Sequence, residues 1–234
     1  MAATETRLLL LGAVHIFGPV NGYQVRQELM SWRVDEWGHI NPGSIYSVLN
    51  TLARQGHVRR HAVADGGREV GVYTLTEAGT AEYHRLLEEC LTIVDAFDPM
   101  RFHTAVNLMG TASRAQVSGW LERREAALRQ HIEGLKETRR ELAKPLYPSH
   151  LQSIVDLGAK SARAERDWLQ GLRADIAKGR YSFAGEQMDW SPEVDEHTAE
   201  MVAQNQRYRE LLGLDDGVTP VVSPAVQGTS KTRS

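Results

Sequence analysis

Between Asn41 and Arg54 the chain reads NPGSIYSVLNTLAR, which as a helix turns Ser44, Tyr46, Ser47 and Asn50 away from an apolar stripe of Ile45, Val48, Leu49 and Leu52. Hydroxyls and a carboxamide on the open side of a helix match the donors and acceptors that base edges present in the major groove. Asn41 is expected to accept from free amides at the helix start. Pro42 fits the first helical position, where no N–H is needed. Amides near Gly43 can meet a phosphate. Arg54 ends the helix, and Arg59, Arg60 and Arg68 follow it, so cations gather around the same segment, while Tyr23 upstream can donate to a phosphate backbone. Neighbouring strand residues point to opposite faces, so at most one of Arg59 and Arg60 meets a given phosphate strand. His57 and His61 are weaker candidates, because an ordinary imidazole is largely neutral near pH 7. The alternative for Tyr23 and Tyr46 is half-buried packing with a solvated hydroxyl.

Elements must hold these residues in place. Thr4 starts a helix with a broad apolar face, Leu8, Leu9, Leu11 and Ile16, which Gly18-Pro19 ends. Asn21 caps a short second helix carrying Tyr23, Val25 and Leu29, and a link containing Gly38 leads to the Asn41 helix, which Gly56 stops. The period then becomes alternating: Val58, Arg59-Arg60 and Val63, a turn at Asp65-Gly66-Gly67, and a return through Val70, Val72, Tyr73 and Leu75. Thr76 caps a fourth helix to about Phe97. Three helices, a hairpin and a helix predict a winged helix-turn-helix.

The second half is helical. Asp98-Pro99 opens a short helix, and Ser113 caps a long one to Lys144. In the long helix Leu121, Leu128, Leu135 and Leu142 recur every seventh residue, supported by Val117 and Ile132. This row is read as a seam between two chains, narrowed by Arg124 or Glu125, His131 and Thr138 at the alternate heptad positions. Helices over Ser149–Lys178 and Pro192–Leu212 follow, and a Gly-, Pro-, Ser- and Thr-rich tail is expected to be disordered. The expected fold class is thus mainly α with a small β-hairpin wing. A DNA-binding domain is expected over 1–97, a helical dimerisation and effector domain over 98–212, and the tail over 213–234. Trp120, Trp168 and Trp190 are weighed as walls for a small flat aromatic effector against ordinary core packing, with packing favoured. Cys90 is read as a packing residue.

At Gly18-Pro19-Val20-Asn21-Gly22-Tyr23, Gly43-Ser44-Ile45-Tyr46, and Gly67-Arg68 through Tyr73-Thr74-Leu75-Thr76-Glu77-Ala78-Gly79, the sequence resembles the PadR family of bacterial transcription regulators. The resemblance covers residues 8 to 79 and implies a homodimeric, DNA-binding repressor released by an effector. The second half is similar to the family's larger dimerisation domain in length and helicity. Two departures stand out: Ser47 where the family usually has Pro, and Val70-Gly71 where its wing often carries further basic residues. A dimer of this kind would read an inverted-repeat operator with two reading helices about 34 Å apart, one turn of duplex.

The 234 residues carry a net charge of -3 and are 41% hydrophobic, an ordinary soluble composition with no global basic excess to coat nucleic acid. No apolar run approaches the roughly 20 residues that span a bilayer, so no membrane partner is expected. The single cysteine excludes an internal disulfide, and a reducing cytoplasm is the simpler home. Phosphate-cradling glycine motifs, zinc helices of the His-Glu-x-x-His type and Gly-x-Ser-x-Gly elbows do not occur, and the histidines are scattered, so neither an enzyme nor a metal or other cofactor is expected. The rival reading is a winged-helix module that binds protein and not an operator. It draws on charge balance, since Arg7, Arg26, Arg33, Arg54, Arg59, Arg60 and Arg68 are matched by Glu5, Glu28, Asp35, Glu36, Asp65, Glu69 and Glu77. Position, not count, separates the two.

Overall fold

A computed structural model describes residues 4–37, 40–96, 98–188 and 196–214. Gly38, Phe97, Trp190, the Pro192 helix start and the tail from 215 lie outside the described residues. In chain order the elements are α1 (Thr4–Phe17), β1 (Val20–Asn21), α2 (Gly22–Ser31), α3 (Val34–Trp37), α4 (Ser44–Arg54), β2 (Val58–Asp65), β3 (Arg68–Leu75), α5 (Glu77–Thr92), α6 (Met100–Leu108), α7 (Arg114–Leu142), α8 (Leu151–Ala177) and α9 (Glu196–Leu212), with a 3₁₀ turn at Met109–Thr111. Two compact units result. One comprises residues 1–86 with 190–234, the other residues 87–189. The last helix therefore joins the N-terminal unit, where the sequence reading had grouped it with the helical half.

In the first unit α1 is apolar almost all round, and Leu8, Leu9, Leu10, Leu11 and Ala13 are fully buried. Asn21 caps α2 through a capping box: its side chain accepts from the Gln24 amide, and Gln24 accepts from the Asn21 amide. The start of α4 differs from expectation. Asn41 Oδ1 accepts from the Gly43 amide at 2.9 Å and the Asn41 carbonyl from the Ser44 amide at 2.8 Å, so Asn41 shapes a turn two residues ahead of the helix. Pro42 belongs to that turn, and Gly43 holds the capping position without a side-chain bond.

The wing is the hairpin β2–β3. Gly66 (φ 56°) and Gly67 (φ 79°) form its two-residue turn, with both residues in the left-handed region that glycine occupies freely, and Asp65 pairs with Arg68 across it. Two elements escaped the sequence reading: α3, a single turn, and β1, which adds a third antiparallel strand by pairing Val20 with Tyr73 and Asn21 with Val72. Thr76 caps α5, its hydroxyl accepting from the Gly79 amide at 3.0 Å and donating to the Gly56 carbonyl at 2.6 Å.

In the second unit α8 folds back along α7. Their antiparallel course is marked by Arg139–Asp156 at 2.6 Å, Arg124–Glu165 at 2.6 Å and the Arg173–Glu125 pair. Leu121, Leu128 and Ile132 are buried within this single chain, while Leu135 and Leu142 are half-buried, with Leu135 against Gly158. Leu121, Leu128 and Ile132 of the heptad row are thus buried in the α7–α8 hairpin of one chain. Arg124 and Glu125, which had counted against the seam, are themselves buried and paired across it.

Gly79 sits where α5 passes the end of α4: a Cβ there would penetrate the His57 carbonyl oxygen. Gly79→Ala must push backbone from backbone, and a loss of about 3 kcal/mol is expected in urea unfolding of the full chain.

Candidate nucleic-acid interface

The exposed side of α4 exists because its other side is buried. Ile45, Val48, Leu49 and Leu52 all face the core, and Tyr46, Ser47, Asn50 and Arg54 are exposed. Ser44 is half-buried, and its hydroxyl donates to the Asn41 carbonyl at 2.7 Å, which leaves its oxygen to accept. Tyr46 is 43% exposed. Its ring lies over the first residue of α2, so closely that a Cβ on Gly22 would come within 2.7 Å of it. Tyr23, next in sequence, is 56% exposed. Gly22 thereby joins the two tyrosine positions and the first turn of α4 into one surface, with Asn41 and Gly43 exposed just before it.

The cations are sorted by position. Arg7 is engaged by Glu82 and Arg33 by Glu36. Among the described residues Arg54, Arg59, Arg60 and Arg68 are exposed and in no ion pair. Arg54 only reaches the Thr51 hydroxyl, at 3.2 Å. Arg59 pairs in register with Thr74 and Arg60 with Tyr73, so the two guanidinium groups leave from opposite faces, as strand geometry requires. Arg60 lies across Gly71, where a Cβ would meet its Nε at 2.6 Å. The glycine found here in place of a basic wing residue makes room for a guanidinium from the partner strand. His61 contacts the Thr74 hydroxyl at 2.9 Å; burial, and then the nearby Arg59, hold its pKa below the usual imidazole value, so it brings no charge at neutral pH.

One group of residues was missed. On α9, Met201, Asn205 and Tyr208 are buried, and with Leu212 they share one face at spacings of four, three and four. Tyr208 packs with Val63 and Val72 of the wing, with Val70 and Leu212 alongside. Its hydroxyl accepts from Asn21 Nδ2 at 3.0 Å and donates to Asp65 Oδ2 at 3.1 Å, and burial keeps its pKa above the usual phenol value, so the proton stays. Periodicity alone carries the signal for this face. Nothing local says which surface it covers.

The second unit holds a half-open cavity of about 1020 Å³ between α6, α7, α8 and residues 94–96, with Phe102, Leu135, Ile154, Leu157, Glu165 and Trp168 among its walls. Trp168 is 49% exposed and stands edge-on to Phe102 at 5.9 Å. Trp120 is instead buried in the core and does not line the cavity, so of the effector candidates only Trp168 is placed for a ligand. Beneath the cavity Arg124 stacks 3.6 Å from the Phe102 ring centroid and donates to Glu165 and to the Ile93 carbonyl. Among the described residues no group of three or more His, Cys, Asp or Glu is placed to hold a metal ion, and no helix is long and apolar enough to cross a membrane.

Packed helices α1, α2 and α4, a glycine-tipped wing and a helix presenting polar groups from a buried stripe define the N-terminal unit as a winged helix-turn-helix. Residues 10–85 match the family described as transcriptional regulator PadR-like. No curated protein matches the chain. Among solved structures, PadR of Bacillus subtilis in complex with operator DNA is 18% identical, covering 72% of this chain and 97% of its own, with a TM-score of 0.30. The PadR-like regulator BC1756 from Bacillus cereus is 16% identical over 75% of this chain and 97% of its own, with a TM-score of 0.34. B. subtilis PadR in complex with p-coumaric acid is 17% identical over 73% and 99%, with a TM-score of 0.26. Likeness at this level says nothing of what the present chain binds.

The contact between Gly22 and Tyr46 predicts coupling. Gly22→Ala should cost about 1–2 kcal/mol by displacing the ring, and in a Tyr46→Ala background most of that cost should vanish, as read from denaturant midpoints in a double-mutant cycle.

Proposed function

We propose that the protein is a homodimeric, sequence-specific DNA-binding repressor in which α4 reads the major groove and the wing arginines grip the flanking phosphates. The observation that carries this reading is where exposed, unpaired cations gather: Arg54, Arg59, Arg60 and Arg68, at the end of α4 and on the wing, are exposed and in no ion pair among the described residues, whereas Arg7 and Arg33 are engaged by Glu82 and Glu36. A protein-docking wing has no need of uncompensated cations beside an exposed row of hydroxyls. Tyr46, Ser47 and Asn50 are the base-edge candidates, and Tyr23 with the Gly43 turn the phosphate candidates.

Dimerisation supplies the spacing of two half-sites. With the α7 row occupied inside the chain, the surface for a second copy is the outer stripe of α8, where Ile154 is 64% and Leu157 58% exposed. A flat apolar effector entering the cavity beside Trp168 would act on the same stripe, favouring a dimer whose two α4 helices no longer match successive major grooves.

On a duplex from upstream of its own coding sequence, Arg68→Ala should weaken binding similarly across operator variants and lower the salt slope by about one per half-site. Loss of discrimination at one base pair only would assign Arg68 to direct readout, and absence of any salt-dependent binding by the wild type would return the domain to a protein-docking role. Ile154→Glu with Leu157→Glu should give a folded monomer in sedimentation, with cooperative operator binding lost. A wild type that sediments as a monomer at micromolar concentration with full affinity would remove the paired-reader mechanism.

A further inference from the structure

Asp65 is a carboxylate one residue from the wing tip, directly opposite Arg68 in the β2–β3 register. Left to itself, such a cross-strand pair forms an ion pair, and the arginine is then unavailable to a phosphate. Here both Asp65 oxygens are taken by α9. Oδ2 accepts from the Tyr208 hydroxyl at 3.1 Å and from Gln204 Nε2 at 3.0 Å, and Oδ1 meets Arg207 Nη1 at 3.1 Å. The remainder of the α9 face is tied to the start of α2 and the end of α1. Gln24 Nε2 donates to Asn205 Oδ1 at 2.8 Å and to Gln204 Oε1 at 3.0 Å. Asn205 Nδ2 donates to the Phe17 carbonyl at 2.9 Å, and Arg209 Nη2 to the Gly18 carbonyl at 2.7 Å. Asn21, which caps α2, donates to Tyr208.

We propose that α9 is a clasp for the wing: through Asp65, the residues Gln204, Arg207 and Tyr208 act as positioning residues that hold the hairpin against the start of α2 and keep Arg68 out of an ion pair, free for a phosphate. The inference rests on the operator reading above for its consequence, though not for its geometry. Two physical needs meet in it. A two-stranded hairpin is marginal by itself, and β1 pairs only at its base, so the outer half of the wing needs a second support. A negative charge beside a phosphate-binding tip also needs a counter-ion, which α9 provides at the carboxylate facing it. Arg207 is 58% exposed, and when it is replaced Asp65, itself 14% exposed, keeps the hydrogen bonds from Tyr208 and Gln204 on its other oxygen, so the change spares most of the network.

The test compares Arg207→Gln, Asp65→Asn and the double variant of the full chain on the upstream duplex, by titration at several salt concentrations. Arg207→Gln should weaken binding about five- to tenfold and lower the salt slope by about one per half-site, as Arg68 turns to Asp65. Asp65→Asn should bind at least as well as the wild type, and in the double variant it should restore the affinity and most of the slope. A loss that persists in the double variant would make Arg207 a direct phosphate contact, and no loss in Arg207→Gln would show that Asp65 does not compete; either overturns the proposal. Should the wild type bind no DNA, the operator reading fails. The clasp is then decided by hydrogen exchange, with the β2 and β3 amides near the tip exchanging faster in Tyr208→Phe/Gln204→Ala if α9 holds the wing, and unchanged if it does not.

Discussion

The first unit depends on burying α1. A helix with leucine at four consecutive positions has no polar side to give to water, so it must be surrounded, and α2, α4 and the β3 strand pack around it. That demand explains the one-sided character of every neighbour. The stripe of α4 is apolar because it faces this core, and the hydroxyls, carboxamide and guanidinium on its back are exposed as a consequence. The exposed polar face of α4 is the remainder left by core formation, fixed in direction by the burial of the opposite face.

Charge follows a second logic. In the first unit several acids are engaged by arginines: Glu36 by Arg33, Glu82 by Arg7 and Arg85, and Asp65 by Arg207 of α9. Around α4 and the wing, Arg54, Arg59, Arg60 and Arg68 are exposed and in no ion pair among the described residues. A protein of slightly negative total charge can thus gather exposed guanidinium groups in one region.

What could be read from the sequence was whatever is decided within a few residues. The Asn21, Thr76 and Ser113 caps, the Gly66-Gly67 turn and the apolar stripe of α4 are local, and each is where it was expected. Asn41 misled because an Asn before a helix serves a turn as readily as a cap. The heptad leucines of α7 announced a buried face but not its partner, since a seam within a chain and a seam between chains have the same period. Arg124 and Glu125 looked too polar for it because their counter-charges, Glu165 and Arg173, come from a helix some forty residues on. The pairing of β1 with β3, and the return of α9 to the wing, are contacts between distant segments whose spacing carries no mark in either partner.

The discontinuity of the first unit has a bearing on biosynthesis. The ribosome releases α1 through β3 first, and α9, the helix that completes their polar network, follows only after the whole of the second unit. During translation a nascent chain therefore carries α4 and a wing that lacks the contacts of α9, with Asp65 still opposite Arg68 in the hairpin register. A product truncated before α9 would carry α4 and the wing without the bonds that α9 makes to Asp65, Asn21 and Gln24.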